Sequence, residues 1–108
     1  SIIKRKKRLI PRAIKTICAL EKGPFGILEP SKDCSRVVSK KNLDLVIVPG
    51  LAFDHANFRL GRGLGFYDRF LADLPKQAQA IGLCFDFQIV SSLPRSPSDL
   101  PVKKVISA

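Results

Sequence analysis

The sequence has no tryptophan, no methionine, one tyrosine and one histidine, and these shortages exclude several kinds of site. A single histidine, His55, cannot build a histidine-rich metal centre. The three cysteines, Cys18, Cys34 and Cys84, are odd in number, widely spaced and form no CxxC pair. This pattern predicts reduced thiols in a cytoplasmic protein and no zinc site.

Long apolar runs are missing as well. No stretch approaches the roughly 20 apolar residues that cross a bilayer. The basic N-terminus is not followed by the apolar segment of a cleavable signal peptide. The sequence therefore predicts no membrane partner. A chain of 108 residues with 45% hydrophobic residues is typical of one globular domain, which we place at residues 1–108.

Acidic residues are scarce, since nine Asp and Glu face nineteen Lys and Arg, giving a net charge of +10. The excess lies in residues 1–43, with twelve basic and three acidic residues. Its densest part is KRKKR, Lys4–Arg8, which is compatible with a solvated tail, a nucleic-acid contact or a localisation signal. No aromatic residue interleaves with this run, so the stacking surface of a single-strand binder is missing.

The first 42 residues contain one weak strand signal. Residues 8–20 are rich in β-branched side chains and predict a strand interrupted at Pro11. Glycine and proline punctuate residues 21–33, which predicts a loop. The polar stretch 31–42 predicts an irregular surface connection.

The clearest element is Leu45–Val48, a continuous apolar run ended by Pro49-Gly50. Such a run is typical of a strand covered on both faces, as in a parallel sheet. A helix is predicted further on, because apolar residues recur at helical spacing and Pro75 ends the segment. Its apolar positions are Phe66, Phe70, Leu71 and Leu74.

Three further segments complete the pattern. Residues 79–87 predict a short strand, residues 91–101 a Ser/Pro-rich loop that contains Asp99, and residues 102–107 a closing edge strand. The order of strand, glycine loop, helix and strand is that of a βαβ unit, so we predict an α/β fold.

The stretch RLGRGLGFYDRF, Arg59–Phe70, alternates glycine with basic and apolar residues. Glycine lets a ligand approach the main chain and permits positive φ, so N–H groups can face one anion. A helix that begins directly afterwards would add to this attraction. Arg59 and Arg62 can donate charge-assisted bonds to phosphate oxygens. The alternative reading of glycines 61, 63 and 65 is a tight structural turn.

Asp68 follows at the rim of this turn. A carboxylate beside phosphates is a natural Mg²⁺ ligand, because Mg²⁺ prefers oxygen and bridges carboxylate to phosphate. Alone, Asp68 is better explained as an acidic residue at a helix start than as a metal ligand. The spacing is neither GxxxxGK[ST] nor GxGxxG, so no standard nucleotide motif is present. Only the combination with both arginines and Tyr67 favours an anion site.

The segment VPGLAFDHANFRLGRGLGFYDRFL, residues 48–71, closely resembles the signature of the 5-formyltetrahydrofolate cyclo-ligase family. Upstream, LIPR (9–12) and GPFGILEP (23–30) resemble segments of the same family. Downstream, IGLCFDFQIVSSLP (81–94) and the loop with Asp99 resemble its C-terminal part. The resemblance implies a three-layer, Rossmann-like α/β sandwich with a mostly parallel sheet.

The resemblance also implies an activity. Family members use ATP and Mg²⁺ to convert 5-formyltetrahydrofolate into 5,10-methenyltetrahydrofolate, releasing ADP and phosphate. The formyl oxygen is phosphorylated, a folate nitrogen attacks, the ring closes and phosphate leaves. Such a transfer requires cationic clamping and in-line positioning.

Carried onto this sequence, the resemblance implies roles for residues of the glycine turn. Arg59, Arg62 and Tyr67 would be catalytic, and Asp68 and Asp99 would bind the metal. ATP would contact Arg59, Leu60, Gly61, Arg62, Gly63, Leu64, Gly65, Phe66 and Tyr67, and the folate would contact Arg62, Gly63, Leu64, Gly65 and Phe66. Glu29 matches a family landmark, to which we assign a structural role in its loop.

Four positions depart from the family pattern. Asn57 replaces glycine, although asparagine tolerates the left-handed conformation. Phe66 replaces tyrosine, Ser98 replaces histidine, and Lys103 replaces an acidic residue. The last two weaken the expectation for Asp99 as a metal ligand.

The resemblance begins after the family's N-terminal helices and first strand, which carry a basic pair that contacts ATP and a glutamate that contacts folate. The alternatives are an N-terminally truncated or split member, for which a partner chain could supply the missing elements, a degenerate copy, and a member that retains only part of the site. The alternative function is a non-catalytic module that binds RNA or another polyanion through the basic half.

Overall fold

The computed structural model describes residues 2–3, 8–63 and 65–108. Its strands are short, and the one α-helix of the described residues, Phe66–Ala72 (α1), has seven residues. That is far below the roughly 20 residues that span a membrane, and none of the described helices could cross one. The strands are Ile2–Ile3 (β1), Arg8–Leu9 (β2), Arg12–Ala13 (β3), Leu20–Lys22 (β4), Leu28–Pro30 (β5), Arg36–Val37 (β6), Leu45–Val48 (β7), Ala52–Asp54 (β8), Arg59–Leu60 (β9), Gln79–Cys84 (β10), Ile89–Val90 (β11) and Lys104–Ser107 (β12).

Contacts within the chain group into two compact units, Ser1–Asn42 and Leu43–Ala108. The expectation of a single domain over residues 1–108 stays a prediction. The α/β class is confirmed, because parallel strands and a helix follow each other in the second unit. The three-layer, Rossmann-like arrangement stays a prediction.

The first unit consists of short antiparallel pairs, β1 with β2, β3 with β6, and β4 with β5. The interruption of the first predicted strand at Pro11 is confirmed, because β2 ends at Leu9 and β3 begins at Arg12. The basic run Lys4–Arg8 lies outside the described residues except for Arg8. The predicted irregular connection at 31–42 is partly wrong, since β6 lies within it.

The predicted loop at 21–33 is also partly wrong, because residues 21–22 of β4 and residues 28–30 of β5 pair as a hairpin. The Gly23 N–H donates to the Ile27 carbonyl at 2.8 Å and closes this hairpin. A Cβ on Gly23 would lie 2.3 Å from Cγ of Glu29, so the Glu29 side chain occupies the space that glycine leaves. This packing supports a structural role for Glu29.

In the second unit, β7, β10 and β12 form a parallel sheet in the order β12–β10–β7. The predicted strands at Leu45–Val48, 79–87 and 102–107 are confirmed, although β10 ends at Cys84 and a 3-10 turn, Asp86–Gln88, follows. The 91–101 loop is confirmed too, because it holds no helix or strand. The helix ends at Ala72, two residues before the predicted Leu74.

One face of this sheet packs against α1. Val48, Phe53 and Val102 are the buried centre of the core, and Tyr67 and Leu71 of the helix pack against it. A Cβ on Gly82 would lie 2.5 Å from Cε1 of Phe53, so the ring lies directly on the β10 backbone. Glycine at this strand position is therefore required by packing.

Among the residues that the structure describes, side chains on the other face of the sheet are exposed, which corrects the prediction of a strand covered on both faces. Leu45 and Ile47 of β7 are 54% and 49% exposed. Leu83 of β10 and Ile106 of β12, which are paired in register, are exposed as well. Side chains alternate along a strand, so these four residues form one apolar surface, which we term the open sheet face.

Beyond the end of β10, Phe85 and Phe87 are exposed, and their rings stack with centroids 5.6 Å apart. A second, smaller sheet is formed by β11, β8 and β9. Its β8–β9 hairpin pairs Phe53 with Arg59 and so brings the start of the glycine turn next to the core.

Candidate functional site

Arg59 is half-buried at the start of β9 and is held in place by two contacts. Its Nη1 donates to the carbonyl of Pro49 at 3.0 Å, and the guanidinium carbon lies 5.0 Å from the centre of the Tyr67 ring. Its Nε is buried and has no hydrogen-bond partner among the described residues. The guanidinium is therefore oriented by protein contacts while part of its donor capacity stays unused.

Glycine stands at positions 61, 63 and 65 of the turn for different physical reasons. A Cβ on Gly61 would lie 2.9 Å from both Nη atoms of Arg59, so a side chain here would displace the guanidinium from its present position. Gly63 and Gly65 have φ of 84° and 72°, which side-chain-bearing residues rarely adopt. A Cβ on Gly63 would meet no atom of the described residues within 4 Å, its chain neighbours aside. The turn is thus shaped by glycine and leaves room beside its main chain.

The remaining predicted residues of the turn differ in exposure. Arg62 and Leu60 are exposed, Phe66 and Tyr67 are half-buried, and Leu64 lies outside the described residues. Burial raises the pKa of the Tyr67 phenol, and the nearby charge of Arg59 opposes that rise. The phenol therefore stays protonated near neutral pH and can donate a hydrogen bond. The contribution of the helix start to anion binding stays a prediction, and α1 has only seven residues.

The two predicted metal ligands are associated through one loop. The Leu100 N–H donates to Asp68 Oδ1 at 3.4 Å, which places this carboxylate beside the residue that follows Asp99. The Asp99 carboxylate itself accepts bonds from the N–H and hydroxyl of Ser96, at 2.8 and 3.1 Å. No cluster of three or more His, Cys, Asp or Glu side chains occurs within residues 2–3, 8–63 and 65–108.

A groove of about 410 Å³ lies between the end of α1, the start of β10 and residues 100–103. None of the predicted site residues lines it.

Sequence reasoning missed Asp54, which is only 3% exposed. Its Oδ1 accepts the N–H groups of Ala56 and Phe58, both at 3.0 Å, and Oδ2 accepts the Leu93 N–H at 3.1 Å. Arg95 Nη2 lies 3.6 Å from Oδ2. Asn57 lies in the turn that follows Asp54 and has φ of 68°. Asparagine therefore adopts the left-handed conformation at this position, where the family pattern has glycine.

Burial of Asp54 disfavours the charged form, but the N–H groups of Phe58, Leu93 and Ala56 and the Arg95 charge stabilise it. The net result is a lowered pKa. A carboxylate whose pKa falls on folding stabilises the native state above its unfolded pKa of about 3.9. That contribution is lost as the pH falls through the folded pKa.

We therefore expect the free energy of unfolding to fall below about pH 4, and to fall less steeply in Asp54→Asn, which has no carboxylate to protonate. Urea unfolding at several pH values between about 2.5 and 6 measures both slopes. Equal acid slopes for the two proteins would contradict the assignment to Asp54.

Gln88 was also missed. Its Nε2 donates to the carbonyls of Gly50 and Leu51, at 3.3 and 3.1 Å, and its Oε1 accepts the Phe85 N–H at 2.8 Å. It thus connects the chain after β7 with the turn after β10. No local pattern signals the connection, because the two carbonyls that Gln88 binds lie 37 and 38 residues away.

Fold and site together define an α/β protein with a parallel sheet and a glycine turn in which protein contacts orient Arg59. The family model described as the 5-formyltetrahydrofolate cyclo-ligase family matches residues 4–108. The chain belongs to this family.

Two curated relatives illustrate the similarity. The chain is 35% identical over 83 residues to the 5-formyltetrahydrofolate cyclo-ligase of Mycolicibacterium smegmatis, covering 77% of this chain and 43% of the relative. It is 39% identical over 82 residues to the Escherichia coli K12 protein of the same name, covering 75% and 45%. The chain thus spans about half the length of the curated relatives it matches.

Two solved structures are similar in fold. The NMR structure of Aquifex aeolicus 5,10-methenyltetrahydrofolate synthetase superposes with a TM-score of 0.69 at 36% identity, over 85% of this chain and 45% of that one. The Mycoplasma pneumoniae synthetase gives 0.63 at 30% identity, over 74% and 47%. These matches lend no support to the polyanion-binding alternative.

Proposed function

We propose that this chain contributes to the Mg²⁺- and ATP-dependent conversion of 5-formyltetrahydrofolate into 5,10-methenyltetrahydrofolate, with release of ADP and phosphate. Its family membership and the names of its relatives support this reaction. The observation that carries the proposal is the position of Arg59, which is oriented by Pro49 and Tyr67 beside an open glycine turn.

In this proposal the ATP phosphates lie along the turn from Arg59 to Tyr67. Arg59 donates from a fixed orientation, and the exposed Arg62 adds a second guanidinium. Charge-assisted bonds of this kind are about twice as strong as neutral ones. The Tyr67 phenol, protonated at neutral pH, orients a phosphate oxygen. Residues 62–66 contact the folate on the same turn.

The available carboxylates fit Mg²⁺. This ion needs only one or two carboxylates, with the remaining positions taken by water and substrate phosphates. Asp68 offers oxygen ligands with one long hydrogen bond to protein, and the loop it contacts carries Asp99. Bound there, Mg²⁺ would neutralise negative charge on the phosphates during transfer. Asp68 is the main ligand in this proposal, because both oxygens of Asp99 already accept hydrogen bonds from Ser96.

The chain's own groups serve the chemistry by positioning. An amide oxygen is a poor leaving group until it is phosphorylated, so the formyl oxygen must lie in line with the terminal phosphate. The guanidinium groups hold that phosphate while the bond to the formyl oxygen forms and ADP leaves. The folate nitrogen then attacks the formyl carbon, the ring closes and phosphate departs.

The experiment follows ATP binding by calorimetry at several Mg²⁺ concentrations, and product formation by the near-ultraviolet absorbance of the methenyl compound. We expect Asp68→Asn to raise the Mg²⁺ concentration at half-saturation by at least about tenfold, as loss of a charged metal ligand does. Asp44→Asn is the matched control, because Asp44 is an exposed carboxylate at the start of β7.

Wild-type chain that binds no Mg-ATP would contradict the proposal, and so would equal Mg²⁺ dependence of Asp68→Asn and Asp44→Asn. Binding without turnover would indicate a chain that retains the nucleotide site and has lost the reaction.

A further inference from the structure

The side chain of Asp54, the last residue of β8, accepts three backbone hydrogen bonds and faces Arg95. Its carboxylate is buried, and its two oxygens bind different segments of the chain. We propose that Asp54 is a positioning residue that fixes the glycine turn and the Asp99 loop relative to each other. The inference rests on the proposed function for its effect on ligand binding, and on hydrogen bonding alone for its structural part.

Oδ1 organises the chain directly before Arg59. It accepts the N–H groups of Ala56 and Phe58. The Asp54 N–H donates in turn to the Phe58 carbonyl at 3.0 Å, and the Asn57 N–H donates to the Asp54 carbonyl at 3.0 Å. The four bonds close a tight turn, residues 54–58, that determines where β9 begins.

Oδ2 organises the start of the loop that carries Asp99. It accepts the Leu93 N–H at 3.1 Å and faces Arg95, whose guanidinium carbon lies 4.0 Å from the centre of the Phe58 ring. The loop is therefore attached both to the carboxylate and to a side chain of the 54–58 turn.

The other end of the loop is attached to the same turn. The Val102 N–H donates to the Asn57 carbonyl at 2.9 Å, and Asn57 Nδ2 donates to the Lys103 carbonyl at 3.2 Å. Between these attachments the loop reaches Asp68 through the Leu100 N–H. The positions of Asp68 and Asp99, the two proposed metal ligands, thus depend on how the loop is attached to the 54–58 turn.

The substitution Asp54→Asn separates the two functions of the carboxylate. Asparagine keeps one oxygen acceptor and replaces the other by an NH₂ group, which can only donate. If its oxygen remains at the two N–H groups of the turn, its NH₂ group faces the Leu93 N–H and Arg95. The loop attachment is then lost while the turn is kept.

The test uses the full chain and has two readouts. Amide hydrogen exchange, followed by NMR, should become at least about tenfold faster at Leu93 in Asp54→Asn than at core amides such as Val48, since exchange reports local opening. In ATP titrations, the Mg²⁺ concentration at half-saturation should rise about tenfold, as when an outer partner of a metal ligand is removed. ATP affinity without Mg²⁺ should stay within about twofold, because Arg59 keeps its contacts.

Arg95→Gln is the second variant, because it leaves the carboxylate in place and changes an exposed side chain. We expect a smaller rise in the Mg²⁺ requirement, about two- to threefold, in the range of a partly exposed ion pair. It answers the question even if Asp54→Asn does not fold.

Unchanged exchange at Leu93 in folded Asp54→Asn would overturn the inference, as would equal loss of ATP affinity with and without Mg²⁺. If Asp54→Asn fails to fold, an unchanged Mg²⁺ requirement in Arg95→Gln would overturn it. If wild-type chain binds no nucleotide, the proposed function fails separately, and exchange at Leu93 in either variant still decides whether Asp54 holds the loop.

Discussion

Gly82→Ala is expected to destabilise the second unit by about 2–3 kcal/mol, within the range for an overpacked core. The added Cβ would lie 2.5 Å from Cε1 and 2.8 Å from Cζ of Phe53, which is fully buried and has little room to move. In a domain of about this size the melting temperature should fall by about 10 °C or more. Circular dichroism melting of wild type and variant measures the change.

Phe53→Leu provides the control, because a smaller side chain opens the space above Gly82. The additional loss caused by Gly82→Ala should be smaller in the Phe53→Leu background than in wild type, and the double-mutant cycle isolates this coupling. A melting temperature unchanged in Gly82→Ala would show that the ring does not lie on the β10 backbone. Equal losses in both backgrounds would place the strain elsewhere.

Arg59→Gln is expected to weaken ATP binding by about 10–100-fold, the range for losing a hydrogen bond between charged groups. The loss should be this large because the guanidinium is already oriented by the Pro49 carbonyl and the Tyr67 ring. Arg59→Lys should recover only part of the affinity, because lysine keeps the charge without the planar, forked donor set. Calorimetric ATP titration with saturating Mg²⁺ measures all three proteins.

Lys76→Gln is the matched control for Arg59→Gln, since it removes one exposed positive charge from the same unit. Its ATP affinity should match wild type. If Lys76→Gln lost as much affinity as Arg59→Gln, binding would reflect net charge instead of a defined site. Melting temperatures of both variants check that the fold is retained.

Local patterns predicted the elements that depend on neighbouring residues. The apolar run Leu45–Val48 and the helical spacing of Phe66 and Phe70 gave β7 and α1 in the right places. The hairpin of β4 and β5 was missed, because Gly23-Pro24 signals a turn but does not show whether the flanking residues pair. Pairing between segments is a non-local property that glycine and proline do not reveal.

Coverage of β7 was predicted wrongly for a similar reason. A continuous apolar run suggests burial on both faces, whereas burial depends on what packs against the strand. Within the described residues only the face towards α1 is packed, so Leu45 and Ile47 stay exposed.

For the site, the sequence indicated Arg59, the glycines and Asp68 as neighbours, and the structure adds the reason for Gly61, which leaves room for the guanidinium. Asp54 could not be singled out, because its partner Leu93 lies 39 residues away. An aspartate followed by polar residues does signal an Asx turn. That signal would have predicted the bond to Ala56, two residues on, but not the bonds to Phe58 and to the loop.

The open sheet face has a consequence for how the protein behaves in solution. The four residues of this face, Leu45, Ile47, Leu83 and Ile106, expose apolar side chains to water. A net charge of +10 makes the molecules repel one another. This repulsion reaches about 10 Å at 0.1 M salt and about 3 Å at 1 M. Repulsion between its lysines and arginines therefore keeps the chain from aggregating. Concentrated salt screens this repulsion, and kosmotropic salts also strengthen association between the exposed apolar side chains.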